Sequence, residues 1–352
     1  MPFSAQEAAN IANAALDFFV KGAAIEQAIQ EKPLLKILTS KQKTFPGGKE
    51  NIRINVKGQH SVTLQGYSHD DSVGYQNPAN IKQAVFPWKE LHAGLEITWT
   101  ELKKDGISVT DSNETQQHTG AEMTRITSLL EDKLSDMVQS WAENFDAMLH
   151  KDGTQDSKEV PGIFSFLLAD PTAAGSTAGI DRTANTWWRN RSNINVASAY
   201  LSGGGIDSST ASNNYLIRVL EKEWAQIKRY GGKTDIILMG SDAIDAYQAE
   251  LRSKGNYTLS GFMSGKNDGG FEGLSFKGIP VQYDPALDSL NKSKYILLLD
   301  SSKLYLKVMD GEDRRTHSPQ RPPEKYAMFR SMTWTGGLCC DQMNAQGVYY
   351  IN

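Results

Sequence analysis

The most regular alternation of apolar and polar positions lies between residues 119 and 150. Thr119 and Glu122 form a capping box at its start. Apolar residues then recur every three or four positions, at Ile126, Leu130, Leu134, Met137, Trp141, Phe145 and Met148. Gly153 follows as a natural C-terminal stop. The pattern predicts one helix of about thirty residues and about 45 Å, well above the usual helix length.

Between residues 51 and 67 the pattern changes to a period of two. Ile52, Ile54, Val56, Val62 and Leu64 share one parity, and polar residues take most of the other positions. This predicts a strand or long hairpin, with residues 67–80 as its polar tip and broken strands returning toward residue 101. A two-stranded ribbon of this length is marginal by itself, so it needs a partner surface.

Shorter helical signals precede the ribbon. A capping box at Ser4 and Glu7 starts a first helix. A second amphipathic segment runs from Ala23 to Leu38, with an interruption at Pro33. Together they predict an arm that has too little apolar surface for a core of its own.

The second half of the chain mixes helix and strand signals. A helix is predicted from about Ser212 to Tyr230, an apolar strand within residues 234–240, and a capped helix over residues 242–254. These three elements form a small α/β unit. A hairpin that turns at residues 277–278 and four or five further strands complete the chain.

Composition limits the classes of protein that fit this pattern. A chain of 352 residues favours two or three structural units. Hydrophobic residues make up 39%, and no apolar run approaches the ~18 residues of a membrane span, which predicts a soluble protein. The net charge of −4 excludes a protein held on nucleic acid by bulk charge. Cys339 and Cys340 are sequence neighbours, a poor arrangement for a disulfide, so a reducing compartment is favoured.

No motif predicts catalysis, a cofactor or a metal centre. Residues 231–234, GGKT, are similar to the end of a phosphate-binding loop, but Ile227 stands where that motif requires a glycine. The six histidines lie apart in the sequence, so a helical zinc site has no support. His69, Asp70 and Asp71 offer metal ligands, yet a solvated loop tip is the favoured interpretation.

Residues 179–192, GIDRTANTWWRNRS, place Trp187 and Trp188 between arginine-bearing flanks. Tryptophan beside arginine occurs in sugar platforms, base-stacking surfaces, cation–π clamps and joints between packed parts of a protein. Because bulk charge does not favour nucleic acid, the structural joint is preferred to contact with DNA, and also to sugar binding.

Five motifs in one order give the sequence a family resemblance. They are AVFPWKELHAGLEITWTELKKDG from residue 84, GIFSFLLADPT with GIDRTANTWWRNRS, TDIILMGSDAIDAYQAELR, FEGLSFKGIPVQYDP, and MTWTGGLCCDQMNAQGVYY. Within the first motif, Trp88 and Gly94 match the segment that closes an extended loop. The chain resembles the major capsid proteins of tailed bacteriophages (Caudoviricetes) with the Hong-Kong-97-type fold.

The resemblance implies an α+β fold with four units. These are an N-terminal arm (1–43), an extended β-hairpin loop (44–100), a peripheral domain with a long spine helix (101–194 and 311–352) and an α/β axial domain (195–310). Trp187 and Trp188 then lie where the chain crosses between the last two. On an extended chain their side chains would point to opposite faces and pin both domains. Arg182, Arg189 or Arg191 would cap a ring or pair with a carboxylate.

The same resemblance implies a non-enzymatic shell subunit of the virion capsid, assembled in the host cytoplasm. Hexamers and pentamers would enclose packaged double-stranded DNA, with weak contact to it. The arm begins within a few residues of Met1, so a separate scaffolding protein is expected, beside a portal protein and, as a further candidate, a decoration protein. The lysines of the loop carry no motif that assigns a cross-linking role, and no membrane partner is expected.

Two alternatives stay open at this stage. The first keeps the fold and makes the chain an encapsulin-like shell subunit of a cellular nanocompartment. The second is an α/β hydrolase or transferase built around residues 212–255, which predicts a monomer with a pocket. The scarcity of histidine, cysteine and glycine-loop motifs disfavours the enzyme.

Overall fold

The computed structural model describes residues 32–48, 50–58, 60, 62–77, 80–104, 120–193, 206, 216–253, 274–320 and 326–351. Its α-helices are α1 (Pro33–Ser40), α2 (Trp99–Lys104), α3 (Gly120–Leu149), α4 (Leu216–Arg229), α5 (Ser241–Ser253) and α6 (Pro285–Ser289). Short 3-10 helices occupy Ile163–Ser165, Thr186–Trp188 and Met343–Ala345. The helix predicted to begin at Ser4 lies outside the described residues.

Fifteen strands are assigned among the described residues. They are β1 (Lys43–Phe45), β2 (Asn51–Lys57), β3 (Ile81–Pro87), β4 (Lys89–Thr98), β5 (Ser176–Thr177), β6 (Ile180–Asp181), β7 (Arg191–Ser192), β8 (Ile236–Met239), β9 (Ser275–Phe276), β10 (Ile279–Tyr283), β11 (Tyr295–Leu299), β12 (Leu304–Met309), β13 (Arg315–Gln320), β14 (Ala327–Cys340) and β15 (Gly347–Tyr350). They form a five-stranded sheet, a six-stranded sheet and two separate hairpins.

The five-stranded sheet is built around the long strand β14. On one side β4 pairs with it continuously from Ala327↔Thr98 to Gly336↔Lys89. β12 and β13 pair with successive parts of the same strand, and β1 extends the sheet beside β12. The predicted long helix is present as α3 and packs on this sheet, with the ring centroids of Phe145 and Trp334 only 4.8 Å apart.

The six-stranded sheet, in the order β7-β15-β11-β8-β10-β9, is covered on both faces. In β8, Ile236 and Leu238 belong to the main core, which also contains residues of α3 and β14. Ile237 and Met239 belong to a second core under α4 and α5. A strand buried on both faces has a continuous apolar sequence, which explains the pattern at residues 234–240.

Helix α1 begins at Pro33, the residue at which the sequence predicted an interruption, and Lys32 before it is extended. Proline suits the first position of a helix because it lacks only an N–H that the first turn leaves unpaired anyway. Leu34, Leu35 and Leu38 are buried in the main core. This part of the predicted arm is therefore packed on the rest of its own chain.

The ribbon is shorter than its sequence pattern predicts. β2 and β3 pair from Asn51↔Pro87 to Lys57↔Ile81, and the strands end there. All described residues from 62 to 77 are exposed and lie outside strands. Val62 and Leu64 continue the period of the strand, yet their side chains are 68% and 103% exposed because nothing in the described chain covers them.

The four predicted units remain a prediction, and strands pair across their borders. β4 falls in the segment predicted as the extended loop, and β12 falls in the predicted axial domain. Both pair with β14 of the predicted peripheral domain. No helix among the described residues is both long and apolar enough to span a bilayer.

Candidate functional site

The two tryptophans contact each other instead of pointing to opposite faces. Residues 186–188 form a 3-10 turn, in which the Trp188 N–H donates to the Asn185 carbonyl oxygen at 2.9 Å. In a 3-10 turn neighbouring side chains lie about 120° apart around the axis, instead of on opposite faces as on the extended backbone assumed from the sequence. The ring centroids lie 5.7 Å apart at 68°, an edge-to-face contact.

Trp188 is the buried member of the pair. Its side chain is 2% exposed and lies in the main core, which is shared by the two large sheets. Its indole Nε1 donates a hydrogen bond to the Thr177 carbonyl oxygen at 3.0 Å. The ring therefore has both the apolar contacts and the polar partner that a buried indole needs.

Trp187 is half-buried and covers the end of the ribbon. A methyl group on Gly58, directly after β2, would lie 2.0 Å from the Trp187 ring. The absence of a side chain at Gly58 therefore allows the ring to approach the ribbon backbone closely. The tryptophan pair joins the main core to the far end of the paired part of the ribbon, a contact that the sequence did not predict.

The arginines beside the tryptophans divide into two groups. Arg182 is buried and donates to the carbonyl oxygens of Ala174 and Gly175, both at 3.4 Å. Arg189 donates through Nε to the carbonyl oxygen of Arg182 at 2.9 Å. These two side chains bind main-chain carbonyls instead of the ring or carboxylate expected from the sequence.

Arg191 does pair with a carboxylate. Its Nε and Nη2 donate to the two oxygens of Glu223 at 2.8 and 2.7 Å, a bidentate pair between β7 and α4. The Tyr349 hydroxyl on β15 donates to the same carboxylate at 2.8 Å. The Glu223 side chain has no solvent exposure. The network fixes α4 to the six-stranded sheet.

His69, Asp70 and Asp71 lie on the exposed part of the ribbon, separate from the tryptophan pair. Residues 69–70 form a turn, closed by the Ser68 N–H donating to Asp71 Oδ2 at 2.8 Å. A loop tip is what the sequence predicted. Trp88, between β3 and β4, is half-buried against the main core.

Sequence reasoning missed a buried cluster of Asp146, His150 and Asp284. His150 Nε2 lies 2.7 Å from Asp284 Oδ2, and Nδ1 lies 2.8 Å from the main-chain oxygen of Asp146. Burial raises the pKa of Asp146 to about 6, with the charge of Asp284 adding to the rise. Asp284 is 134 positions from His150 in sequence, so only the fold brings them together.

This cluster does not have the geometry of a metal centre. The two carboxylates approach different ring nitrogens, with Asp146 Oδ2 3.7 Å from Nδ1 and Asp284 Oδ2 beside Nε2. Nδ1 is already bonded to a main-chain carbonyl. One ligand atom from each residue lies within 4.8 Å of the others, but both ring nitrogens already contact oxygen atoms, so binding an ion would require these contacts to break.

The sequence matches no protein-family model, and no curated protein matches it. Solved capsid structures match its fold. The cyanophage A-1(L) capsid asymmetric unit contains a chain 15% identical to this one, with a TM-score of 0.61 over 91% of this chain and 92% of that chain. The capsid of a native GTA particle is 14% identical, with a TM-score of 0.54 and 89% of both chains covered. The chain has the Hong-Kong-97-type capsid fold.

A chain of Mycobacterium phage Bobi, 12% identical with a TM-score of 0.52, matches over 90% of both chains. The capsid fold therefore extends over about nine-tenths of the chain. This confirms the fold class that the ordered motifs predicted, although the identity is too low for any residue role to be transferred.

Proposed function

We propose that the chain is the structural subunit of a tailed-phage head, which assembles into hexamers and pentamers around double-stranded DNA. The observation that carries the proposal is the capsid fold over 91% of the chain. A fold alone does not establish a function, so features of this chain must support it independently.

The exposed part of the ribbon supplies such support. Its apolar side chains include Tyr67, which is 73% exposed, and Tyr75, which is 96% exposed, in addition to Val62 and Leu64. Large apolar side chains clustered on a projecting segment mark a surface that binds another protein. In a shell of identical subunits that protein is a second copy of this chain, which would cover the exposed residues 62–77.

The remaining partners follow from the proposed shell. We infer that a separate scaffolding protein directs assembly, that a portal protein occupies one vertex, and that the DNA contact is weak because the chain carries a net charge of −4. A decoration protein is a further candidate. The location is the virion, after assembly in the host cytoplasm, and the subunit acts without catalytic residues, metal or cofactor.

The nanocompartment alternative shares the fold, and the test must separate the two. The purified chain, expressed alone and with its scaffolding protein, is expected as hexamers, pentamers, tubes or closed shells in light scattering and electron microscopy. A phage head protein requires the scaffold for uniform closed shells, whereas a nanocompartment subunit closes without it. A stable monomer at all concentrations and salts would refute both and favour the enzyme alternative.

We expect single substitutions at the ribbon tip to block assembly without unfolding the subunit. Leu64→Ser and Tyr75→Ser remove side chains that are almost fully exposed in the subunit, so its melting temperature should change little. Shell yield should fall sharply, because the same side chains are buried on a neighbour in the shell. Sedimentation of assembled particles, beside thermal melting of the subunit, measures both effects.

The matched control for the tip is Tyr230→Ser, which removes an aromatic side chain that is 47% exposed outside the ribbon. Its shell yield should stay near that of the unmodified chain.

Replacing residues 69–78 by a short Gly-Ser turn extends the test. The stability of the subunit should change little, since a change of loop length costs only about 0.6 kcal/mol per doubling. A subunit that unfolds while its shells tolerate the change would show that the ribbon packs on its own chain.

A further inference from the structure

Both ring nitrogens of His150 face oxygen atoms in the buried cluster. The main-chain oxygen of Asp146, at 2.8 Å from Nδ1, can only accept a hydrogen bond, so Nδ1 carries a proton. Nε2 lies 2.7 Å from Asp284 Oδ2, which is also an acceptor when ionised. A hydrogen bond at this distance needs a second proton, held either on Nε2 or on the Asp284 carboxyl group.

The contacts of Asp284 prevent its carboxyl group from rotating away from His150, so the second proton stays between the two side chains. Asp284 Oδ1 accepts the Ala286 N–H at 3.1 Å and caps α6, so the carboxyl group cannot rotate without losing the cap. The side chains of His150 and Asp284 are 0% and 1% exposed. The pair therefore holds one proton between two groups that are shielded from water, and losing it leaves two acceptors in contact.

The pair connects three parts of the fold. Asp146 and His150 lie at the C-terminal end of the long helix α3. Asp284 follows β10 of the six-stranded sheet, and its N–H donates to the Met239 carbonyl oxygen in β8 at 3.1 Å. The Asp146 carboxylate faces the Leu35 N–H in the first turn of α1. The shared proton thus lies where α1, α3 and the six-stranded sheet meet.

We propose that the proton shared by His150 and Asp284 is a pH-sensitive latch that holds α3 to the six-stranded sheet and is released as the pH rises. The ionisable groups that act on the cluster are Asp146 on α3 itself, Asp284 from the sheet, and Lys32 just before α1. Two of these three are acidic, so the charge around His150 favours retention of the proton.

The direction of the pH effect follows from the pKa shifts. Burial acts to lower the pKa of His150, but the hydrogen bond and charge of Asp284 and the charge of Asp146 outweigh it, so the pKa is raised. A raised pKa in the folded state contributes stability that is complete below the unfolded pKa and is lost as the pH rises through the folded pKa. Burial also raises the pKa of Asp146, to about 6. Its effect has the same sign: the folded protein loses stability as the pH rises from the pKa of Asp146 in the unfolded chain to about 6.

Asp284→Asn tests the latch with a nearly isosteric change. The amide oxygen can still accept the Ala286 N–H, and the amide N–H can donate to a neutral Nε2, so the contact no longer needs the extra proton. Melting of the unmodified full chain is expected to fall by about 2–4 °C more than melting of Asp284→Asn between about pH 6 and pH 9. A control, His69→Gln, removes an exposed histidine and should follow the unmodified chain.

Parallel melting curves for the unmodified chain and Asp284→Asn would overturn the proposal. A loss of the pH dependence on adding a metal chelator would overturn the proposal as well, since an ion would then occupy the place of the proton.

If Asp284→Asn fails to fold, hydrogen exchange of the unmodified chain replaces the melting comparison. After correction for the intrinsic pH dependence, exchange in residues 33–40 and 285–290 should rise about tenfold per pH unit once the latch opens, while β14 stays protected. Unchanged protection of both segments across the range would refute the latch.

Discussion

Truncation of Trp188 to alanine is expected to destabilise the subunit by about 3–5 kcal/mol. The side chain is 2% exposed, and its loss leaves a cavity in the core shared by the two large sheets. The Thr177 carbonyl oxygen also loses the indole N–H that now donates to it. Equilibrium unfolding of the unassembled subunit in urea measures the free-energy change directly.

Two further variants separate the contributions at this position. Trp188→Phe keeps most of the apolar volume and removes the hydrogen bond, so it should cost less than Trp188→Ala. Trp187→Ala removes a half-buried ring and should also cost less, with its effect concentrated at the end of β2 beside Gly58. Equal and negligible losses for both alanine variants would contradict the joint and restore an exposed, ligand-binding role for the pair.

The elements that the sequence predicted well are those whose signal is local. The long helix has a repeated apolar stripe and a capping box, so its position is encoded within thirty neighbouring residues. The hairpin at Lys277 and Gly278 is of the same kind, because both residues have positive φ, 51° and 82°, as the tight turn requires. Neither element depends on distant parts of the chain for its identity.

The ribbon shows where the period of two overstates a strand. Ile52 and Val56 are buried by the rest of the chain, and they belong to the paired part. Val62 and Leu64 have the same parity, but the described part of the chain supplies neither a partner strand nor a covering surface there. The alternation of apolar and polar residues indicates which face of a strand will be buried, but not whether the surface that buries it belongs to the same chain.

The candidate site was predicted only in part, because its contacts are long-range. The motif around Trp187 and Trp188 was identified as a joint, but the turn that brings the rings together depends on packing against the core. The pair between Arg191 and Glu223 was one of several carboxylate partners that the sequence left open. The cluster around His150 carried no sequence signal, since the fold brings together the C-terminal end of α3 and the residue that follows β10.

Replacement of Arg191 by methionine is expected to cost about 3–5 kcal/mol, because breaking a buried ion pair leaves the remaining charge poorly stabilised. Glu223 has no exposed surface, and both its oxygens accept from the guanidinium group. Adding Glu223→Gln to Arg191→Met should recover much of the loss, since the neutral amide can still accept the Tyr349 hydroxyl.

Lys277→Met is the matched control. It breaks the ion pair between Lys277 and Glu221, a residue of the same helix α4 as Glu223, but the side chains of Lys277 and Glu221 are 40% and 51% exposed. Its cost should be at most about 1 kcal/mol, because water already screens that pair. Urea unfolding of the unmodified subunit, both single variants and the double variant measures these costs. An Arg191→Met subunit as stable as the Lys277→Met subunit would mean that packing alone holds α4 to the sheet.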